Sequence, residues 1–164
     1  MKRTVAEALR DRDRTDGELA QVLIVDNDEA NRAALRRLLE AEGGYAVAEA
    51  SDGDTAYDLL RASPAPLVVL ARSSEQHPAM LSLFHRVVED PDLANCHVYV
   101  CLANSARALP PAFDHLLAEL DAPVLRYPYD RDTLGIVVAA AGRRAAALGE
   151  QSSLATGANV DRTA

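Results

Sequence analysis

Tryptophan is absent, and aromatic residues make up only 4% of the 164 residues, so a core has to be built from alanine, valine and leucine. Lysine occurs once, at Lys2. No apolar stretch approaches the ~20 residues of a membrane span. Residues 1–20 mix five basic with five acidic side chains and hold no apolar run, which argues against a secretory leader and for a cytoplasmic protein. The formal net charge of −8 favours solubility and disfavours direct binding to nucleic acid or an anionic membrane. Two cysteines, Cys96 and Cys101, fall in one predicted strand region, where their odd separation points them to opposite faces. That argues against a disulfide or a metal pair and for two small buried hydrophobes in a reducing compartment. His77, His85, His97 and His115 are scattered over different elements and read as surface or half-buried residues, with no metal or triad spacing. The pair Gly43-Gly44 precedes a strand rather than following one, the wrong context for a nucleotide-binding loop.

Apolar residues are 49% and charged residues 26% of the chain, the composition of a globular domain long enough for a real core. The most informative segment begins at Val22-Leu-Ile-Val25, an apolar run that stops at Asp26, Asn27 and Asp28 and gives way at once to a helical pattern. This is a buried parallel strand with acids at its carboxyl end, where ligand sites form in open α/β sheets. The pattern then alternates. Strands are predicted at 21–26, 45–49, 67–70, 97–102 and 123–127. Helices are predicted at 29–42, from the Ser51-Asp52-Gly53 turn to about Ala62, at 78–89, from Pro110-Pro111 onward, and after a cap at Asp130. Asp90-Pro91-Asp92 is expected to break the third helix. Five strands, each followed by a helix through short loops, imply an α/β, flavodoxin-like, doubly wound (βα)5 three-layer sandwich. The domain is expected at 21–148, between a mobile arm at 1–20 and a disordered tail at 149–164.

Several local matches in order resemble the receiver domains of bacterial response regulators (CheY-like). They are Val25-Asp26, Gly44-Tyr45-Ala-Val47, Ala50-Ser-Asp-Gly53, Glu89-Asp-Pro-Asp-Leu93 followed by His97-Val-Tyr-Val100, and Tyr127-Pro128-Tyr129-Asp130. The resemblance covers about residues 21–144 and implies the strand order 2-1-3-4-5. It also implies a reaction site: an aspartate ending the third strand that takes a phosphoryl group, an acid pair after the first strand that helps hold Mg²⁺, a lysine before the fifth-strand proline, and a hydroxyl ending the fourth strand.

Each of those positions is altered. Ala71 stands where the family has its phospho-acceptor, and a methyl group cannot accept a phosphoryl; the only acid between Arg61 and Glu89 is Glu75. Tyr127 stands at the lysine position, Leu102-Ala103 at the hydroxyl, with Ser105 three residues late, and Val124 where the family's rotating aromatic is expected. Of the acid pair, Asp26 remains and Asn27 replaces the second, so they offer at most a weak Mg²⁺ site; the plainer reading is that these residues and Asp28 serve the strand end and helix start. Tyr127 can fill the emptied pocket with its ring and hydroxyl, whereas Arg126 should point to the other face. Ser73 and Ser74 are solvated loop residues, with phosphorylation by a separate kinase as the sharper alternative.

The expectation is a degenerate pseudo-receiver: a non-enzymatic, phosphorylation-independent interaction module in two-component or phosphorelay-type signalling, with no cofactor beyond weak Mg²⁺. It would bind a kinase, regulator or motility component, or a second copy of itself, through the face of the fourth helix, fifth strand and fifth helix, with Tyr127 and Tyr129 as candidates there. The alternative is a small-molecule binder using the cleft bounded by Asp26, Ala71, Leu102 and Tyr127.

Overall fold

The computed structural model describes residues 20–72, 79–104, 106 and 108–161. The arm at 1–19, Ser73, Ser74, Glu75, His77 and Ser105 lie outside the described residues.

Five parallel strands, β1 (Ala20–Val25), β2 (Tyr45–Ala50), β3 (Val68–Arg72), β4 (Val98–Asn104) and β5 (Val124–Tyr127), form one sheet in the order β2-β1-β3-β4-β5. The helices are α1 (Glu29–Glu42), α2 (Gly53–Ala62), α3 (Ala79–Val88), α4 (Pro91–Cys96), α5 (Pro111–Leu120) and α6 (Arg131–Asp161). This is the predicted flavodoxin-like arrangement. The three inner strands read as unbroken apolar runs because both faces are covered. Leu23, Val25, Val69, Ala71, Tyr99 and Cys101 face a core under α2, α3 and α5. Val22, Ile24, Val68, Leu70, Val100 and Leu102 face a second core under α1 and α6. Period-two alternation thus sends successive residues of one strand into different cores.

Short polar signals set the helix ends. Asp28, Asp52 and Asp130 accept the amides of Asn31, Thr55 and Thr133 at 3.1, 2.7 and 2.6 Å, which satisfies first-turn donors. Gly43 ends α1 at φ +69°, a left-handed conformation that side chains disfavour.

Three expectations change. The Asp90-Pro91-Asp92 break is also a start: Asp90 accepts the amide of Asp92 at 3.1 Å, Pro91 opens the helix, and one short turn, α4, packs Leu93 inward. Cys96 therefore ends a helix and is exposed, and only Cys101 lies in the strand, buried. The chain past Gly149, expected as a tail, continues α6 to Asp161. No proline interrupts it, and extending an existing helix costs far less than starting one.

His97 is likewise not a surface residue. It is 5% exposed and joins three elements: its Nδ1 accepts the Leu67 amide at 3.0 Å, and its Nε2 donates to the Leu60 carbonyl at 3.1 Å. Both bonds require the neutral ring with its proton on Nε2. Burial lowers its pKa from the ordinary 6.5, against the opposing pull of the Leu60 carbonyl.

Replacing His97 with Leu should destabilise the domain by about 2–3 kcal/mol in urea unfolding, because a buried amide and carbonyl lose their partner. With a depressed folded pKa, the unfolded chain binds the extra proton, so the histidine's contribution is full above pH 6.5 and declines as the pH falls below it. The His97→Gln variant should lack that component of the stability profile between pH 7 and about 5.

Candidate functional site

The carboxyl ends of β1 and β3 meet at Asp26, and Arg72 links them to the end of β5. Asp26 follows β1 directly and is 6% exposed. Its Oδ1 accepts the Asp28 amide at 2.9 Å, and its own carbonyl accepts Arg32 Nη1 at 2.7 Å. Its Oδ2 faces Arg72 Nη1 at 3.4 Å. Burial raises the Asp26 pKa above 3.8, while the Asp28 amide and the Arg72 and Arg32 charges pull it back.

Arg72, the last residue of β3, spans the site. Its Nε donates to the Tyr127 hydroxyl at 3.2 Å, and its guanidinium lies 4.6 Å from the centre of the Tyr127 ring. One cation thus satisfies a buried carboxylate on β1 and stacks on an aromatic ring at the end of β5. The register allows this: Val25 pairs with Ala71, so the residues after them, Asp26 and Arg72, stand side by side. The Tyr127–Pro128 peptide bond is cis.

A second layer steadies the acid from the edge of the sheet. Arg32 also reaches Glu49 at 3.5 Å. Arg36 binds Glu49 at 3.0 Å and donates to the Val47 carbonyl at 3.2 Å. These contacts tie α1 to β2 beside Asp26 and cover part of an edge strand with charge.

The residues singled out in the sequence divide accordingly. Asp26 and Tyr127 are brought together through Arg72. Asn27 is exposed, and Asp28 is committed to the α1 N-terminus, where the Asn31 amide lowers its pKa. Ala71 is fully buried and Leu102 nearly so, in cores on opposite faces of the sheet. Their side chains therefore do not line a common cleft with Asp26 and Tyr127. Tyr129 is half-buried against the α1–α6 core, and burial raises its hydroxyl pKa. Arg126 is exposed and donates to the Asn104 carbonyl at 3.3 Å.

Arg72 and the α1 arginines were not anticipated. The available signal for Arg72 was its place as the first charged residue after the apolar run of β3. Its reach over Tyr127 depends on the sheet's third dimension.

A hard divalent cation needs several oxygen ligands. Asp26 has one oxygen on a backbone amide and the other on Arg72, Ala71 supplies none, and no group of three metal-ligating side chains occurs among the described residues. This donor set does not fit Mg²⁺.

No protein-family model matches the chain. No curated protein matches it in sequence. Solved structures do match. The CheY-like response regulator receiver domain from Methanospirillum hungatei JF-1 superposes with a TM-score of 0.62 at 19% identity, over 79% of this chain and 96% of that one. The chemotaxis protein CheY4 of Vibrio cholerae gives 0.61 at 18% identity, over 75% and 98%. A structure described as an adenylate cyclase from Rhodopirellula baltica gives 0.67 at 15%, over 83% and 96%. The fold is that of the receiver domains. No helix among the described residues is long and apolar enough to cross a membrane.

Replacing Arg72 with Met should cost about 1–3 kcal/mol at pH 7, since it strands a largely buried carboxylate. The sign of the pH dependence follows from Asp26. Its raised pKa means that folding disfavours its ionised form, and loss of Arg72 raises the pKa further. The difference between Arg72→Met and the parent chain should be largest near neutrality and shrink as the pH falls to the ordinary carboxylate value of 3.8, down to the part that comes from the Tyr127 contacts. Urea unfolding at a series of pH values measures it.

Proposed function

We propose that this chain is a phosphorylation-independent, receiver-like interaction module of a two-component type of signalling system, acting in the cytoplasm and without catalysis of its own. One observation carries the reading: Arg72 already provides, within the chain, the positive charge that the acid at the end of β1 needs. In the resemblance drawn from the sequence, that acid works with a metal ion, a phospho-acceptor and a lysine. Here Asp26 is held by a guanidinium, Ala71 offers a methyl group, and Tyr127 is the ring on which that guanidinium rests. The site has become a fixed crosslink between strands, and the reading includes no role for Mg²⁺.

With the top of the sheet fixed, function passes to a surface. The large exposed hydrophobics among the described residues are Val124 on β5, 38% exposed, and Ile136 on α6, 70% exposed. Both lie on elements of the α5, β5 and α6 face, the face expected to meet a signalling partner or a second copy. Tyr127 and Tyr129 are half-buried, and Tyr127 holds the end of β5 in place through Arg72.

Two outcomes are expected. The Ala71→Asp variant, incubated with acetyl phosphate and Mg²⁺, should form no stable aspartyl phosphate by mass spectrometry, because the lysine and hydroxyl are also missing. Stable, Mg²⁺-dependent phosphate on that variant would overturn the reading. In affinity capture from host lysate, Ile136→Asp and Val124→Asp together should abolish recovery of a kinase, regulator or motility component while leaving the melting temperature within a few degrees, since surface changes cost about 0.5 kcal/mol or less.

A further inference from the structure

Ile136, the most exposed large apolar side chain among the described residues, stands on the outer side of α6, away from the sheet. Leu134, Val138, Ala141 and Ala145 set that orientation, because they are buried in the core beneath the helix. Residues two apart on a helix point about 200° from each other. The same spacing shifted by two therefore places Asp132, Ile136, Ala139, Ala140 and Arg143 on the opposite side. Asp132 and Arg143 are exposed, and neither forms an ion pair among the described residues. Their neighbours do: Arg131 reaches Glu42 at 2.7 Å, and Arg144 reaches Asp121 at 3.3 Å. Two charges of α6 are thus committed within the chain, and two others, of opposite sign, project from its outer side.

The acid and the base are about three full turns apart, so they fall on one line with Ile136 between them. A line with an acid at one end, a base at the other and an apolar residue between is complementary to its own reverse. Two such helices, packed antiparallel about a two-fold axis, bring Asp132 of each copy to Arg143 of the other, and the symmetry forms both pairs at once. The same alignment sets the two isoleucines about 4.5 Å apart along the helix axis, each level with Ala139 of the other copy. Alanine at 139 and 140 leaves room for that side chain and lets the helix axes approach to about 8 Å.

We propose that the outer side of α6 is the seam of a homodimer, in which α6 packs antiparallel against α6 of a second copy around Ile136, with two reciprocal Asp132–Arg143 ion pairs. The inference rests on the reading of this chain as an interaction module and narrows it to one partner. A seam of one helix per copy is at the small end of protein interfaces, so the dimer is weak and forms at high micromolar concentration.

Sedimentation equilibrium of the purified full chain, over a concentration series into the high micromolar range, tests this with Asp132→Arg and Arg143→Asp. Each single reversal turns two attractions into two repulsions and should weaken dimerisation by about tenfold. Mixing the two variants should restore it to the parent level, because one copy then carries two arginines and the other two aspartates at the facing positions. Recovery on mixing also shows that both variants are folded. A parent chain that stays monomeric, a dimer indifferent to the single reversals, or a mixture that fails to recover would overturn the proposal. A monomeric chain that still captures a signalling component would overturn it while leaving the interaction-module reading intact. A dimer that follows the charge swap but captures no such component would support it and remove the second protein from that reading.

Discussion

A carboxylate left in a half-enclosed site at the end of a parallel strand has to be answered by positive charge, and the upper end of this domain is organised around that need. Asp26 sits where β1 delivers it, largely shielded from water by α1 and the neighbouring strands. Unanswered, its ionised form would weaken the fold; metal and lysine are the ordinary remedies. Here the remedy comes from β3. Arg72 is one residue beyond the pairing of Val25 with Ala71, close enough for its guanidinium to meet the acid without strain on the sheet. A guanidinium suits the place better than an ammonium because it can donate to both Asp26 and Tyr127 while its carbon lies over the tyrosine ring. The end of β5 is thereby held to the ends of β1 and β3.

That crosslink depends on a sheet covered on both sides. The inner strands put alternate residues into two separate cores, so Ala71 and Leu102, neighbours of the acidic end in sequence pattern, are spent on packing. At the opposite end, His97 performs a comparable service with neutral hydrogen bonds. It stitches the last turn of α2 to the start of β3, and its burial keeps it uncharged. Phe84 meets both Tyr99 and Phe113 edge-on at 6.4 and 5.9 Å, so three of the seven aromatics form one cluster in the α3–α5 core. A chain poor in large rings places them where one cluster can serve several elements.

The order of elements was legible because it is written in local pattern. The runs at Val22–Val25 and Leu67–Leu70 are continuous, as doubly buried strands must be, and Asp52 and Asp130 announce helix starts that the structure places within a residue of expectation. The short α4 was not legible, because Asp-Pro-Asp serves equally well to stop one helix and to start the next. The continuation of α6 past Gly149 was missed because glycine and small polar residues suggest a tail when no neighbour is in view. At the site, Asp26 and Tyr127 were legible through a resemblance that assigns each position a task. Arg72 was not, since alternation along β3 says which face a residue takes and not how far a long side chain at the strand's end can fold over the sheet. His97 was missed for a related reason: its two partners, Leu60 and Leu67, are backbone groups.

The measurement closest to the central claim is a Mg²⁺ titration of the intact chain, followed by the amide resonances of Asp26, Asn27 and Asp28. If Arg72 occupies the electrostatic place of a metal, those resonances should show no saturable shift at millimolar Mg²⁺. The same titration on Arg72→Ala should bring a measurable response at Asp26. Saturable, one-to-one binding to the unaltered chain at the end of β1 would contradict the account.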